Sequence, residues 1–173
     1  MNLAPIVEEI LRGYPLSPRG CHGAVHWARV LENGLKLAES TGANVAVVRL
    51  FAVFHDSRRE NDGSDPDHGL RGADLAAALR GRLFDLSDAD FDVLYRACEW
   101  HTHGRTDPDV TVQTCWDSDR LDLGRVGIVP DPRYLCTPAA KSPAVIDWAH
   151  LRSVGGHEPA IVTAEWGVPP RAW

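Results

Sequence analysis

An adjacent His55-Asp56 pair closes an apolar segment of this chain, with a lone His26 upstream and an Asp119-Arg120 pair downstream. Neighbouring histidine and aspartate offer one ion both an imidazole nitrogen and a carboxylate oxygen, a donor set that suits Mn, Fe, Co, Ni, Zn or Mg. A divalent ion held this way lowers the pKa of a bound water and polarises a phosphoryl oxygen. His26, His55, Asp56 and Asp119 are therefore candidate ligands, and Asp56 is also counted as catalytic. A single histidine on a helix is ordinarily a surface or hydrogen-bonded core residue. The metal reading rests on all four elements, each on a segment with helical patterning.

Three strings, CHGAVHWARV around His26, LFAVFHDSRREND around His55-Asp56 and CWDSDRLDLGR around Asp119, together resemble the H…HD…D pattern of the HD-domain superfamily of metal-dependent phosphohydrolases. The resemblance covers roughly residues 20–125. It implies an all-α bundle of about five to seven helices, a divalent metal ion and a small phosphorylated substrate, with a nucleotide favoured. Two-metal members of that superfamily add histidines between the HD pair and the final Asp. His68, twelve positions after Asp56, and His101 match that pattern, so the resemblance leaves one ion or two open, with both histidines lining the pocket in the one-ion case. Related nucleotidases and guanosine-tetraphosphate hydrolases often carry an acidic residue three or four positions after the metal Asp. Here Arg59 occupies the third position and Glu60 the fourth, which makes Glu60 the general acid or base candidate and argues against a close match to the guanosine-tetraphosphate branch.

Cations cluster near the same positions. Arg58 and Arg59 follow the metal pair and can hold phosphate oxygens through bidentate guanidinium contacts, with a solvated charge run as the plainer alternative. Arg105 is a third phosphate-binding candidate. Arg120 either neutralises a phosphoryl group or pairs with Asp117 or another carboxylate to hold its helix in register, the second being preferred. His22 lies one turn before His26 and is expected to support the ligands from behind or to remain polar surface.

The elements that must position these groups follow from periodicity and punctuation. A short helix is predicted over Pro5–Leu11 and a longer one over about His22–Ser40, with His22, His26 and Asn33 on one polar strip of an otherwise apolar helix. Asn44 can cap NVAVVRLFAVFHD, which is apolar on nearly every side and reads as the buried central helix. After a charged loop, Asp65 is the expected cap and Pro66 the first position of a helix that carries His68 and runs to about Leu79. Ser87 caps a fourth core helix whose inward stripe, Phe91, Leu94, Tyr95 and Cys98, continues onto His101 and not His103. The fifth, about Thr111–Leu123, places Asp119 on the face of Val112, Trp116 and Leu123. A buried carboxylate there must bind a proton, pair or coordinate a cation. Seven of the twelve prolines fall after Val126, so residues of about 126–173 are expected to wrap the bundle as an irregular arm with one helix, capped by Ser142 and ended by Gly155-Gly156.

At 173 residues, with 44% hydrophobic and 24% charged, the chain fits one helical domain able to bury its own core. A net charge of −6 argues against binding nucleic acid or an anionic membrane. No apolar run reaches the roughly 18 residues of a membrane span. The four cysteines lack any Cys-x-x-Cys pair and read as reduced, and the N-terminus lacks a secretory pattern, so the expected compartment is the cytoplasm. A homo-oligomer is left open. P-loop, dinucleotide and Gly-x-Ser-x-Gly motifs are absent. Two other readings stand beside the hydrolase: a di-iron oxygenase, which the same superfamily includes and which needs His68 and His101 as ligands, and a metal-stabilised module that binds a nucleotide or protein without turnover.

Overall fold

The computed structural model describes residues 1–170, and within them all regular structure is helical, with no strand and one isolated bridge between Arg80 and Phe84. Residues 171–173 of the expected arm lie outside the described residues. Seven helices of nine residues or more and one four-residue turn follow in order: α1 Ala4–Arg12, α2 Ala24–Thr41, α3 Val45–Phe54, α4 His68–Leu79, α5 Asp88–Trp100, α6 Val110–Arg120, α7 Pro143–Val154 and α8 Ile161–Ala164. None of these helices is long and apolar enough to cross a membrane.

The apolar helix is the axis, as its sequence requires. Val47, Val48, Leu50, Phe51, Ala52, Val53 and Phe54 of α3 are all buried, and α2, α4, α5 and α6 pack around them. Asn44 starts this helix by accepting the backbone N–H groups of Ala46 and Val47, and its amide donates to Asp90 Oδ1 at 2.9 Å. Ser87 likewise caps α5 through the N–H of Asp90. The N-terminal Val45 of α3 is exposed, while the buried C-terminus delivers His55 and Asp56 to one end of the bundle.

Two glycines let α4 come close to that end. A Cβ at Gly72 would collide with the Phe54 carbonyl, and one at Gly69 with the Cys98 carbonyl, so the backbone of α4 sits directly on the C-terminal turns of α3 and α5. This close approach brings His68 to His101.

Three local expectations need correction. Asp65 does not cap α4, which begins at His68 after Asp67; its carboxylate is taken by Arg71 Nη2 at 2.6 and 2.7 Å and by the Glu60 N–H at 2.8 Å. The fifth core helix ends at Arg120 rather than Leu123, and a 3₁₀ turn over Leu123–Val126 continues it. The polar strip of α2 is split: His22 precedes the helix, and Asn33 donates to Ser118 O at 3.0 Å as a tie to α6.

The arm after the 3₁₀ turn is bound firmly. Asp117, fully buried, accepts from the N–H groups of Cys136 and Thr137 and from the Thr137 hydroxyl, at 2.6 to 2.8 Å. Arg120 donates to the Tyr134 carbonyl at 3.0 Å and also reaches the carbonyl of Gly104, so it clasps the arm through backbone oxygens and not through Asp117. Leu135, Ala140, Ile146 and Ala149 then form a second small core with Leu37 and Leu121.

Replacing Gly72 by Ala is expected to lower the unfolding free energy by about 1–3 kcal/mol, the usual cost of forcing extra volume into a closed contact. Urea unfolding followed by circular dichroism checks this; an unchanged midpoint would mean that α4 is not seated on the end of α3.

Candidate metal centre

His26 on α2, His55 and Asp56 after α3, His68 at the start of α4, His101 after α5 and Asp119 in the last turn of α6 meet in one cluster. His26 and His55 are fully buried, and Asp56, His68 and His101 are nearly so. Two groups of three have ligand atoms within 4.8 Å of one another: His26, His55 and Asp56, and Asp56, His68 and His101. Asp56 belongs to both, one oxygen to each. Its Oδ2 lies 3.6 and 3.7 Å from His26 and His55 Nε2, while its Oδ1 lies 3.2 and 3.8 Å from His68 and His101 Nε2. Asp119 Oδ1 joins the first group, 3.3 Å from His26 Nε2 and 3.8 Å from His55 Nε2.

The orientation of the rings is fixed from behind. His26 Nδ1 faces Asp122 Oδ2 at 2.7 Å, His55 Nδ1 faces the Phe51 and Ala52 carbonyls at 3.2 Å, His101 Nδ1 faces the Cys98 carbonyl at 2.7 Å and His68 Nδ1 faces the Asp65 carbonyl. Each of those partners only accepts, so each Nδ1 carries the hydrogen and each neutral ring turns its Nε2 lone pair inward. Histidines that bind metals are oriented in this way. The lone pairs then face one another in pairs, His26 against His55 at 3.0 Å and His68 against His101 at 2.9 Å. Two acceptors at such a distance repel unless a proton or a cation lies between them. Bonds of about 2.1 Å to a tetrahedral or octahedral ion place ligand atoms about 3.0 to 3.4 Å apart, close to the observed separations.

The carboxylates carry the same signal. Asp56 Oδ1 and Asp119 Oδ1 are buried and have no hydrogen-bond partner. Burial alone would raise both acids, yet His55 and the other imidazoles around Asp56 hold it well below the ordinary carboxylate range, and His26, His55 and Arg125 hold Asp119 low as well. Burial depresses His55 to about 3, which keeps it neutral and able to ligate. His101 is desolvated too, but the neighbouring Asp56 and Asp119 outweigh that and raise it. These buried His and Asp groups could hold a metal ion.

The remaining expected residues divide. His22 supports the cluster from the cavity wall, its Nδ1 donating to Asp56 Oδ2 at 3.0 Å. Arg59 reaches the cluster: its Nη1 is 3.7 Å from Asp56 Oδ1 and nearly equidistant from both ring nitrogens of His68, at 3.1 and 3.3 Å, which puts it over the imidazole face and not on the lone pair. Arg105 and Arg120 line the adjoining cavity, Arg105 exposed and over the Tyr134 ring. Glu60 and Arg58 are not brought to it. The loop after Asp56 turns Glu60 outward toward Arg71, leaving its side chain 68% exposed, and Arg58 is drawn the other way by the Ile10 and Ser57 carbonyls. A catalytic role for Glu60 and phosphate binding by Arg58 therefore have no geometric basis.

Two residues escaped the sequence reading. Asp122, 1% exposed, receives His26 Nδ1 and is held by Arg29 through Nε at 2.6 Å and Nη2 at 3.1 Å. Arg29 in turn donates to the His157 carbonyl of the arm at 3.0 Å. The signal was present as two matched i, i+3 pairs, His26/Arg29 and Asp119/Asp122, since residues three apart share a helical face.

Comparison with models of protein families, with curated proteins and with solved structures finds no match to this chain.

Replacing Asp122 by Asn is expected to weaken metal binding by about 10- to 100-fold, the range found for partners that orient ligating histidines. Calorimetric titration with Co or Mn measures it, and an unaltered affinity would remove Asp122 from the site.

Proposed function

We propose that this chain is an HD-type, metal-dependent phosphohydrolase acting on a small organic phosphate. The observation that carries the reading is the inward convergence of four imidazole lone pairs and two unpartnered carboxylate oxygens at the floor of a cavity lined by arginines. A divalent ion at that floor supplies a water of lowered pKa and a Lewis acid for the phosphoryl oxygen. His26 and His55, with Asp56 and Asp119, would hold a first ion; His68 and His101, with the other oxygen of Asp56, would hold a second.

The chain's own residues do the rest. Arg59, anchored through Nε and Nη2 on the Asn61 and Gly63 carbonyls, turns Nη1 toward Asp56 and can bind a phosphoryl oxygen beside the ligands, and Arg105 can meet the substrate further out. Arg120 and Arg125 are occupied by backbone carbonyls and shape the wall instead. His22 lines the cavity while bonded to Asp56, and it takes over the proton-transfer role that the sequence suggested for Glu60.

The shared Asp56 also favours a second reading, a di-iron oxygenase, because both histidines that it requires join the cluster. Visible absorption after iron loading and oxygen uptake distinguish it.

The test is release of phosphate from a panel of organic phosphates with added Mn, Co, Ni or Mg, for the intact chain and for Asp56→Ala. Metal-dependent release should fall by at least about 1,000-fold in the variant, since the residue shared by both ion positions is gone and metal-assisted catalysis is worth several kcal/mol. Release that survives in Asp56→Ala would sink the reading.

A further inference from the structure

The cavity above the cluster has a volume of about 760 Å³, ample for a small metabolite, and its two sides differ in chemistry. One side is polar, with His22, Asp56, Arg59, His68 and His101. The other is built by Leu123 of the 3₁₀ turn and by the arm, where Ile128, Val129, Pro130, Tyr134 and Leu135 line it. Ile128 is 52% exposed, Val129 63% and Tyr134 54%, although each belongs to the cavity wall. The charged groups of this wall are already engaged: Asp131 is held by Arg133 through both carboxylate oxygens, and Arg125 donates to the Cys21 and Asp122 carbonyls. The Tyr134 ring is covered by the Arg105 guanidinium 5.2 Å from its centroid. Water-exposed aliphatic side chains in the lining of a concave site that also holds cationic groups fit an amphiphile better than a polar ring.

We propose that the arm wall receives a hydrocarbon group, so that the preferred substrate is an organic phosphate with an apolar remainder and not a nucleotide read by hydrogen bonds to its base. This rests on the phosphohydrolase reading above and goes beyond it by naming the other end of the substrate. The phosphoryl group lies at Arg59 and the metal ligands, and the hydrocarbon extends over Ile128 and Val129, where its burial supplies affinity.

The probe is a series of alkylphosphonates from methyl to octyl, bound to the Mn-loaded full chain and measured by calorimetry beside inorganic phosphate and nucleoside monophosphates. Each added methylene should tighten binding by about two- to fourfold until the wall is covered, the effect of burying one CH₂ group. In the double variant Ile128→Ser, Val129→Ser, an uncharged change at two exposed loop positions, the increase with chain length should vanish. Equal affinity along the series, an unchanged increase in the double variant, or a nucleoside monophosphate that binds more tightly than hexylphosphonate would overturn the proposal and leave the phosphohydrolase reading standing. If neither phosphate nor methylphosphonate binds the Mn-loaded protein, both fall.

Discussion

Repulsion between inward-facing lone pairs is the constraint on which this bundle turns. Each of the four cluster histidines spends its Nδ1–H on a carbonyl or carboxylate behind it, and so has only its acceptor nitrogen to offer the centre. Two carboxylate oxygens without donors add negative charge to the same space. Helices α3, α5 and α6 also end there, and the C-terminal ends of helices carry partial negative charge. Acceptors, carboxylates and helix ends thus all favour a cation, and the surrounding packing holds them in place against their mutual repulsion.

Much of the scaffold exists to hold those groups at that separation. The burial of α3 fixes where His55 and Asp56 emerge, and Asn44 fixes where the helix begins. Glycines at 69 and 72 remove the side chains that would keep α4 away. On the opposite side, Arg29 joins Asp122, and through it His26, to the arm at His157. The ligand cluster and the C-terminal arm are therefore mechanically continuous, so the wall that shapes the cavity is attached to the residues at its floor.

The helical parts of this arrangement were legible in sequence because periodicity and capping are local. Asn44 and Ser87 behave as caps, and the inward stripe of α5 ends on buried His101 while His103 stays exposed, as the spacing requires. The loop after Asp56 was not legible. Its side chains are placed by partners distant in sequence or in adjacent turns: Arg71 takes Asp65, and the Ile10 carbonyl takes Arg58. Proximity to the HD pair therefore said nothing about whether Arg58 or Glu60 would face the site. Asp122 was missed for a related reason, since its function depends on a match between α2 and the turn after α6, and neither segment displays it alone. The proline-rich composition after Val126 identified an arm but not its contribution to the cavity, which comes from where Asp117 and Arg120 pin it.

The central claim is that the convergent acceptors need a divalent cation. Its most direct test is the melting temperature of the purified protein, with its metal content measured by mass spectrometry, before and after removal of metal by a chelator. A ligand that binds only the folded state raises its stability by mass action, so chelation should lower the melting temperature and added Mn or Co should restore it, with at least one ion per chain. Protein that contains no metal, and whose melting temperature responds to neither chelator nor added ion, would contradict the account.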